Sequence, residues 1–75
     1  MIDDKEKQRQ ILKTLGDNIK AIRLRKGFRQ NEVAYRCYFD KSSYNNIERG
    51  ERNITIITLH KIAKALDEPL QNFFK

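Results

Sequence analysis

The stretch Asp40-Lys41-Ser42-Ser43-Tyr44-Asn45-Asn46-Ile47-Glu48-Arg49-Gly50 reads as one short helix with two unlike sides. Asp40 offers a carboxylate to the exposed N–H groups of the first turn, and Gly50 offers the backbone freedom that closes a helix. At about 100° per residue, Tyr44 and Ile47 point one way, while Ser42, Asn45, Asn46 and Arg49 project to the opposite side. Lys41 lies in the first turn at the edge of that polar side. Exposed helix positions with no other task favour Glu, Lys, Gln and Ala, and two adjacent Asn cost helix propensity. The amide face therefore asks for a use, and base edges of duplex DNA supply one. A side-chain amide donates and accepts in one plane, as the adenine edge requires, lysine donates to guanine acceptors, and a serine hydroxyl does either. Arg49, further along, suits the phosphate backbone. The plainer alternative is that these groups only keep one helix face wet.

Working outward, Gln30 to Cys37 fits a second short helix with Val33, Ala34 and Cys37 inward, although Arg29 is a poor N-cap. Upstream, Leu12, Leu15, Ile19 and Ile22 recur at spacings of three and four, which predicts a helix over roughly 4–26 closed by Gly27. Downstream, Thr55 caps a helix over roughly 55–66 whose inward stripe is Ile56, Leu59, Ile62, Ala63 and Leu66. Asp67-Glu68-Pro69 then breaks that helix and opens a fifth over roughly 69–74, anchored by Leu70, Phe73 and Phe74. No alternating strand pattern competes. The expectation is a single all-α domain, residues 1–75, of five helices with the second and third at 30–37 and 41–49.

Seventy-five residues leave room for one small core and no large catalytic cleft. Sixteen Lys and Arg against ten Asp and Glu give a net charge of +6, so the surface attracts polyanions. Residues 11–29 hold Lys13, Lys20, Arg23, Arg25, Lys26 and Arg29 against Asp17 alone, which places the positive field on the first helix and its exit. The single Cys37 makes neither a disulfide nor a zinc cage, and fits a buried thiol in a cytoplasmic protein. The start of the chain lacks the apolar core of a signal peptide, and no apolar run approaches the roughly 18 residues of a membrane span. His60 has no partner at ligand spacing, and no nucleophile–base pair or phosphate-cradling Gly loop can be assembled. No metal, cofactor or catalytic function is expected.

Gln30-Asn31-Glu32-Val33-Ala34, then Ser43-Tyr44-Asn45-Asn46-Ile47-Glu48-Arg49-Gly50-Glu51-Arg52, then Thr58-Leu59-His60-Lys61-Ile62-Ala63-Lys64-Ala65-Leu66 resemble the Cro/phage-repressor (XRE-type) helix-turn-helix family. The resemblance runs from about Leu15 to Phe74 and implies a five-helix, lambda-repressor-like domain that binds double-stranded DNA. Carried over by position, it implies that Lys41, Ser42 and Asn46, with Asn45 beside them, read bases. Gln30, Ser43, Arg49 and Arg52 match phosphate-holding positions, and Arg23 and Glu48 match a structural ion pair. Glu48 projects toward the core edge of its helix, as such a pair needs. The chain departs from the family at Tyr38, where a glycine is usual because the backbone there tends to positive φ; strain of roughly 1 to 2 kcal/mol is expected.

Ile57 is the other departure, since the family usually has a polar residue there. With His60, Leu70, Phe73 and Phe74 it builds an apolar patch at the C-terminal end, from which a homodimer is expected. Two copies about a two-fold axis set recognition helices about 34 Å apart on a roughly palindromic site. The stretch Arg49 to Thr55 also looks like restriction-modification controller proteins, while phage-type repressors and antitoxins remain open. The resulting expectation is a cytoplasmic transcriptional regulator with no small-molecule effector and no membrane partner. Its rival is a protein–protein adaptor that keeps the fold without DNA binding.

Overall fold

The computed structural model describes residues 3–75, so Met1 and Ile2 of the expected domain lie outside the described residues. Four α-helices follow in order: α1 (Asp4–Lys26), α2 (Gln30–Arg36), α3 (Lys41–Glu48) and α4 (Ile56–Ala65). A five-residue 3₁₀ segment, Leu70–Phe74, ends the fold where a fifth α-helix was expected. The segment is too short to propagate α-helical bonding, and Asn18 Nδ2 in α1 donates to the carbonyls of both Phe73 and Lys75, fixing the tighter turn from outside. No helix among the described residues is long and apolar enough to cross a membrane.

Local chemistry sets most boundaries. Asp3, Asp40 and Thr55 cap α1, α3 and α4 by accepting from the backbone N–H three residues on, at 2.7, 2.6 and 3.0 Å. At α2, Arg29 makes no side-chain cap; its backbone N–H instead donates to Glu32 Oε1 at 2.9 Å. Gly27 and Gly50 take positive φ, as their places after α1 and α3 require. Tyr38 (φ 60°) and Asp67 (φ 53°) end α2 and α4 in the same left-handed region. In both places the next N–H reaches back to close the helix, Phe39 to Ala34 and Glu68 to Ala63. The cost falls on a side chain bearing Cβ, and at Tyr38 the ring gains nothing in return from the core because it is 94% exposed.

One core joins the elements: Ile19 and Ile22 of α1, Val33, Ala34 and Cys37 of the α2 region, Tyr44 and Ile47 of α3, Leu59, Ile62, Ala63 and Leu66 of the α4 region, and Phe73. Burial raises the Cys37 thiol above its ordinary value, keeping it protonated. Ile56 departs from its expected inward place and is 61% exposed. It lies about 70° from the centre of the α4 stripe and in the first turn, at the margin of the packed face.

Candidate nucleic-acid interface

The α3 helix is held by its inward side. Tyr44, Ile47 and Glu48 are all buried, and Glu48 is the only acidic side chain among them. Arg23 of α1 grips its carboxylate with two bonds, Nε to Oε2 at 2.6 Å and Nη2 to Oε1 at 3.1 Å. The Tyr44 hydroxyl donates to Oε2 at 2.5 Å and Gln30 Nε2 to Oε1 at 3.0 Å. Burial pushes this carboxyl up, yet the bonds from Arg23, Tyr44 and Gln30 outweigh it and hold Glu48 below the ordinary carboxylate range. The same geometry raises the Arg23 guanidinium, through Glu48 above all, and raises the Tyr44 phenol, through burial and then Glu48. Every lone pair has a donor, so the ion pair is compensated where it lies.

A second brace is steric and was not legible in the sequence. Gly16 of α1 sits against the last carbonyls of α3: a Cβ there would fall 2.7 Å from the Ile47 oxygen and collide outright with that of Glu48. Gly50 meets α1 reciprocally, its Cβ position lying 2.7 Å from Lys13 Cα. Backbones approach this closely only where one of the two residues at each contact has no Cβ. Sequence reading assigned Gly50 to a cap and Gly16 to nothing; an interior helical glycine was the available signal.

The outward side carries the polar set. Lys41, Ser42 and Arg49 are exposed, and Ser43, Asn45 and Asn46 are half-buried along the same helix. Ser43 lends its backbone N–H to Asp40. Arg49 Nη2 meets Glu51 Oε1 at 2.9 Å at the exposed end of α3, and the Arg52 guanidinium stands 6.0 Å from the Phe39 ring. Gln30 is half-buried at the start of α2 and bonds Asn45 as well as Glu48. The set thus lies on the α2–turn–α3 unit and the loop that follows.

The positive field is distributed differently from expectation. Arg23 is buried with Glu48, Lys13 pairs with Asp17, and Arg25 and Lys26 both reach Glu68. Of the six cations in residues 11–29, only Lys20 and Arg29 have no ion pair among the described residues. Four of these six cations are thus matched by carboxylates, Lys13 by a neighbour one turn away and Arg23, Arg25 and Lys26 by Glu48 and Glu68, which the fold brings from distant sequence. Lys41 and Arg52, flanking the polar face, have no such partner among the described residues.

The C-terminal patch is also narrower than expected. Phe73 is fully buried in the monomer's core and Leu70 is half-buried, so both complete the fold. Ile57 (65%) and Phe74 (59%) stay exposed, as does His60. Ile11 of α1 and Phe74 line one side groove together with Leu15.

Two short helices joined by a tight turn, the second capped, braced from behind and polar in front, define a helix-turn-helix protein. Residues 19–73 match the helix-turn-helix family, and the chain belongs to its XRE-type branch of DNA-binding regulators. It is 43% identical over 54 residues to an HTH-type transcriptional regulator, y4dJ, of Sinorhizobium fredii, covering 72% of this chain and 70% of that one. Its fold matches the restriction-modification controller protein C.AhdI of Aeromonas hydrophila with a TM-score of 0.83 at 31% identity, covering 87% and 98% of the two chains. The controller protein C.Esp1396I, whose tetramer is known in complex with its natural 35 base-pair operator, matches at 0.78 and 39% identity over 85% and 84%.

Proposed function

We propose that this chain is a cytoplasmic transcriptional regulator that binds double-stranded DNA sequence-specifically, as a homodimer on a roughly palindromic operator. The observation that carries the reading is α3 itself. Its Tyr44–Glu48 side is locked into the core while Lys41, Ser42 and the half-buried Asn45 and Asn46 stand on the side that faces solvent. In such a unit the N-terminal part of the second helix enters the major groove and its flanks meet the backbone. Lys41, Ser42, Asn45 and Asn46 then read base edges, and Ser43, Arg49 and Arg52 hold phosphates. The controller proteins it resembles support a role of the same kind. That role is exerted without an effector, through protein concentration and dimerisation.

Selection of bound duplexes from a random pool tests specificity, half-site spacing and two-fold symmetry together. Asn46→Ala is expected to cost about 1 to 3 kcal/mol on the selected site only, whereas Arg52→Ala weakens all duplexes alike and flattens the salt dependence. Equal losses on selected and random DNA for both variants would refute these roles. A protein that shows no salt-dependent retention of genomic fragments would instead be the adaptor. For the dimer, Ile57, His60 and Phe74 supply the exposed contact, with Leu70 at its edge. Ile57→Asp is expected to shift sedimentation toward the monomer and to weaken operator binding with it.

A further inference from the structure

The side-chain amide of Gln30 stands between the buried ion pair and the polar face of α3. Its Nε2 lies 3.0 Å from Glu48 Oε1 and 3.0 Å from Asn45 Oδ1. An ionised carboxylate only accepts, so the NH₂ end of Gln30 is the end that faces Glu48, and its second hydrogen goes to Asn45. Glu48 cannot turn to suit a different arrangement, because Arg23 holds both its oxygens and Tyr44 holds one. Two consequences follow. Gln30 keeps only its carbonyl oxygen free, and an acceptor gains nothing from a phosphate oxygen. Asn45 must turn its own carbonyl toward Gln30, which leaves Nδ2 as the end that faces outward.

We propose that Gln30 is a positioning residue rather than a phosphate clamp: it passes the orientation of the buried Arg23–Glu48 pair to Asn45, which meets the groove with its amide nitrogen and selects acceptor edges. Guanine N7 and O6 and thymine O4 are such edges. Asn46, one residue on, has no such bond among the described residues and keeps both ends of its amide for pairing. The inference rests on the reading of α3 as the helix that enters the major groove.

The test uses the full chain and three proteins: the unaltered sequence, Gln30→Met and Asn45→Asp. Each is put through selection from a random duplex pool, and its affinity is measured for the unaltered protein's selected site and for a random duplex. Gln30→Met keeps length and volume while removing both donors, and Glu48 retains Arg23 and Tyr44. Roughly tenfold weaker binding to the selected site is expected, with random-duplex affinity little changed and base preference broadened at one symmetry-related pair of positions. Equal loss on both duplexes would mean a phosphate clamp and overturn the proposal. Asn45→Asp still accepts from Gln30 but turns an oxygen outward. Its selected sequences are expected to change at that same pair of positions toward the donor edge of cytosine. An unchanged selection, or a change at different positions, would also overturn it. If the unaltered protein enriches no sequence at all, the regulator reading itself fails, and this inference falls with it.

Discussion

Two charged clusters tie α1 to the rest of the molecule, and they do different things. At the α3 end, Arg23 meets Glu48 with side chains 8% and 3% exposed, and the Tyr44 hydroxyl and Gln30 amide complete the set. At the far end, Arg25 and Lys26 meet Glu68 at 2.9 and 3.2 Å, with Arg25 62% exposed, and Asn72 adds a bond at 2.6 Å. The first cluster is desolvated and fully compensated, so its partners cannot rearrange without stranding a charge. In the second the Glu68 side chain is 8% exposed, but Arg25 is open to water and solvent can take its place at less cost. Burial, more than the presence of an ion pair, determines which cluster fixes a helix and which merely fastens an end.

The largest expected effect breaks the buried cluster. Arg23→Met leaves the Glu48 carboxylate without its counter-ion and is expected to cost about 3 to 5 kcal/mol in urea unfolding. The double change Arg23→Met with Glu48→Met is expected to recover much of that loss in stability, since a buried pair replaced by apolar groups is often near neutral. Its operator binding is not expected to recover, because Gln30 and Asn45 lose their reference. Recovery of binding as well would show that the pair contributes only to stability.

Next comes the steric brace beside it. Gly16→Ala inserts a methyl against the Ile47 and Glu48 carbonyls, which are backbone and cannot swing aside. A loss of about 1 to 3 kcal/mol is expected. Specific DNA binding is expected to fall further than random-duplex binding, as α3 is pushed from its seat. Equal affinities would mean that α3 is positioned by the ion pair alone.

The smallest effects belong to the cluster whose arginine is open to water. Glu68→Gln is expected to lower stability less than either change above, and by less still in high salt, measured by urea unfolding at two ionic strengths. Its pH signature sharpens the contrast. The amide of Asn72 first, opposed by burial, and then Lys26 and Arg25 hold the Glu68 carboxyl at about 2. A carboxyl depressed in the folded state contributes its stability above the ordinary value of 4.5 and loses it as pH falls toward about 2. Glu48 is depressed too, so its contribution is lost in the same direction below its ordinary value. Acid unfolding of Glu68→Gln is expected to keep the Glu48 part of that decline and lack its own. A variant with an unchanged acid profile would show that Glu68 contributes nothing to it.

Much of this molecule could be read before any coordinates. Apolar spacing placed a helix at each of α1 to α4, and Asp40, Thr55, Gly27 and Gly50 marked four of their ends because capping is chemistry between near neighbours. The polar face of α3 was legible for the same reason, since one helix turn relates Ser42, Asn45, Asn46 and Arg49. The placement of Tyr38 at a left-handed position came through the family resemblance, and its φ of 60° now has a local cause in the end of α2.

What could not be read lies in contacts between residues far apart in sequence. Composition placed the positive field on α1, but Glu48 and Glu68, 25 and 43 residues from their arginine partners, absorb Arg23 and Arg25 once the chain folds. Phe73 and Phe74 are neighbours of one type, yet one fills the core and the other faces solvent. Gln30 carries the residue type of a phosphate contact, and only the three-dimensional meeting of Glu48 and Asn45 shows where its two hydrogens go. Sequence determined the helices, their ends and their faces, because these depend on neighbours within a turn or two. Tertiary structure decided which charges remained for a ligand and which amide end looked outward, because a hydrogen bond or an ion pair is spent on whatever partner packing brings within about 3 Å.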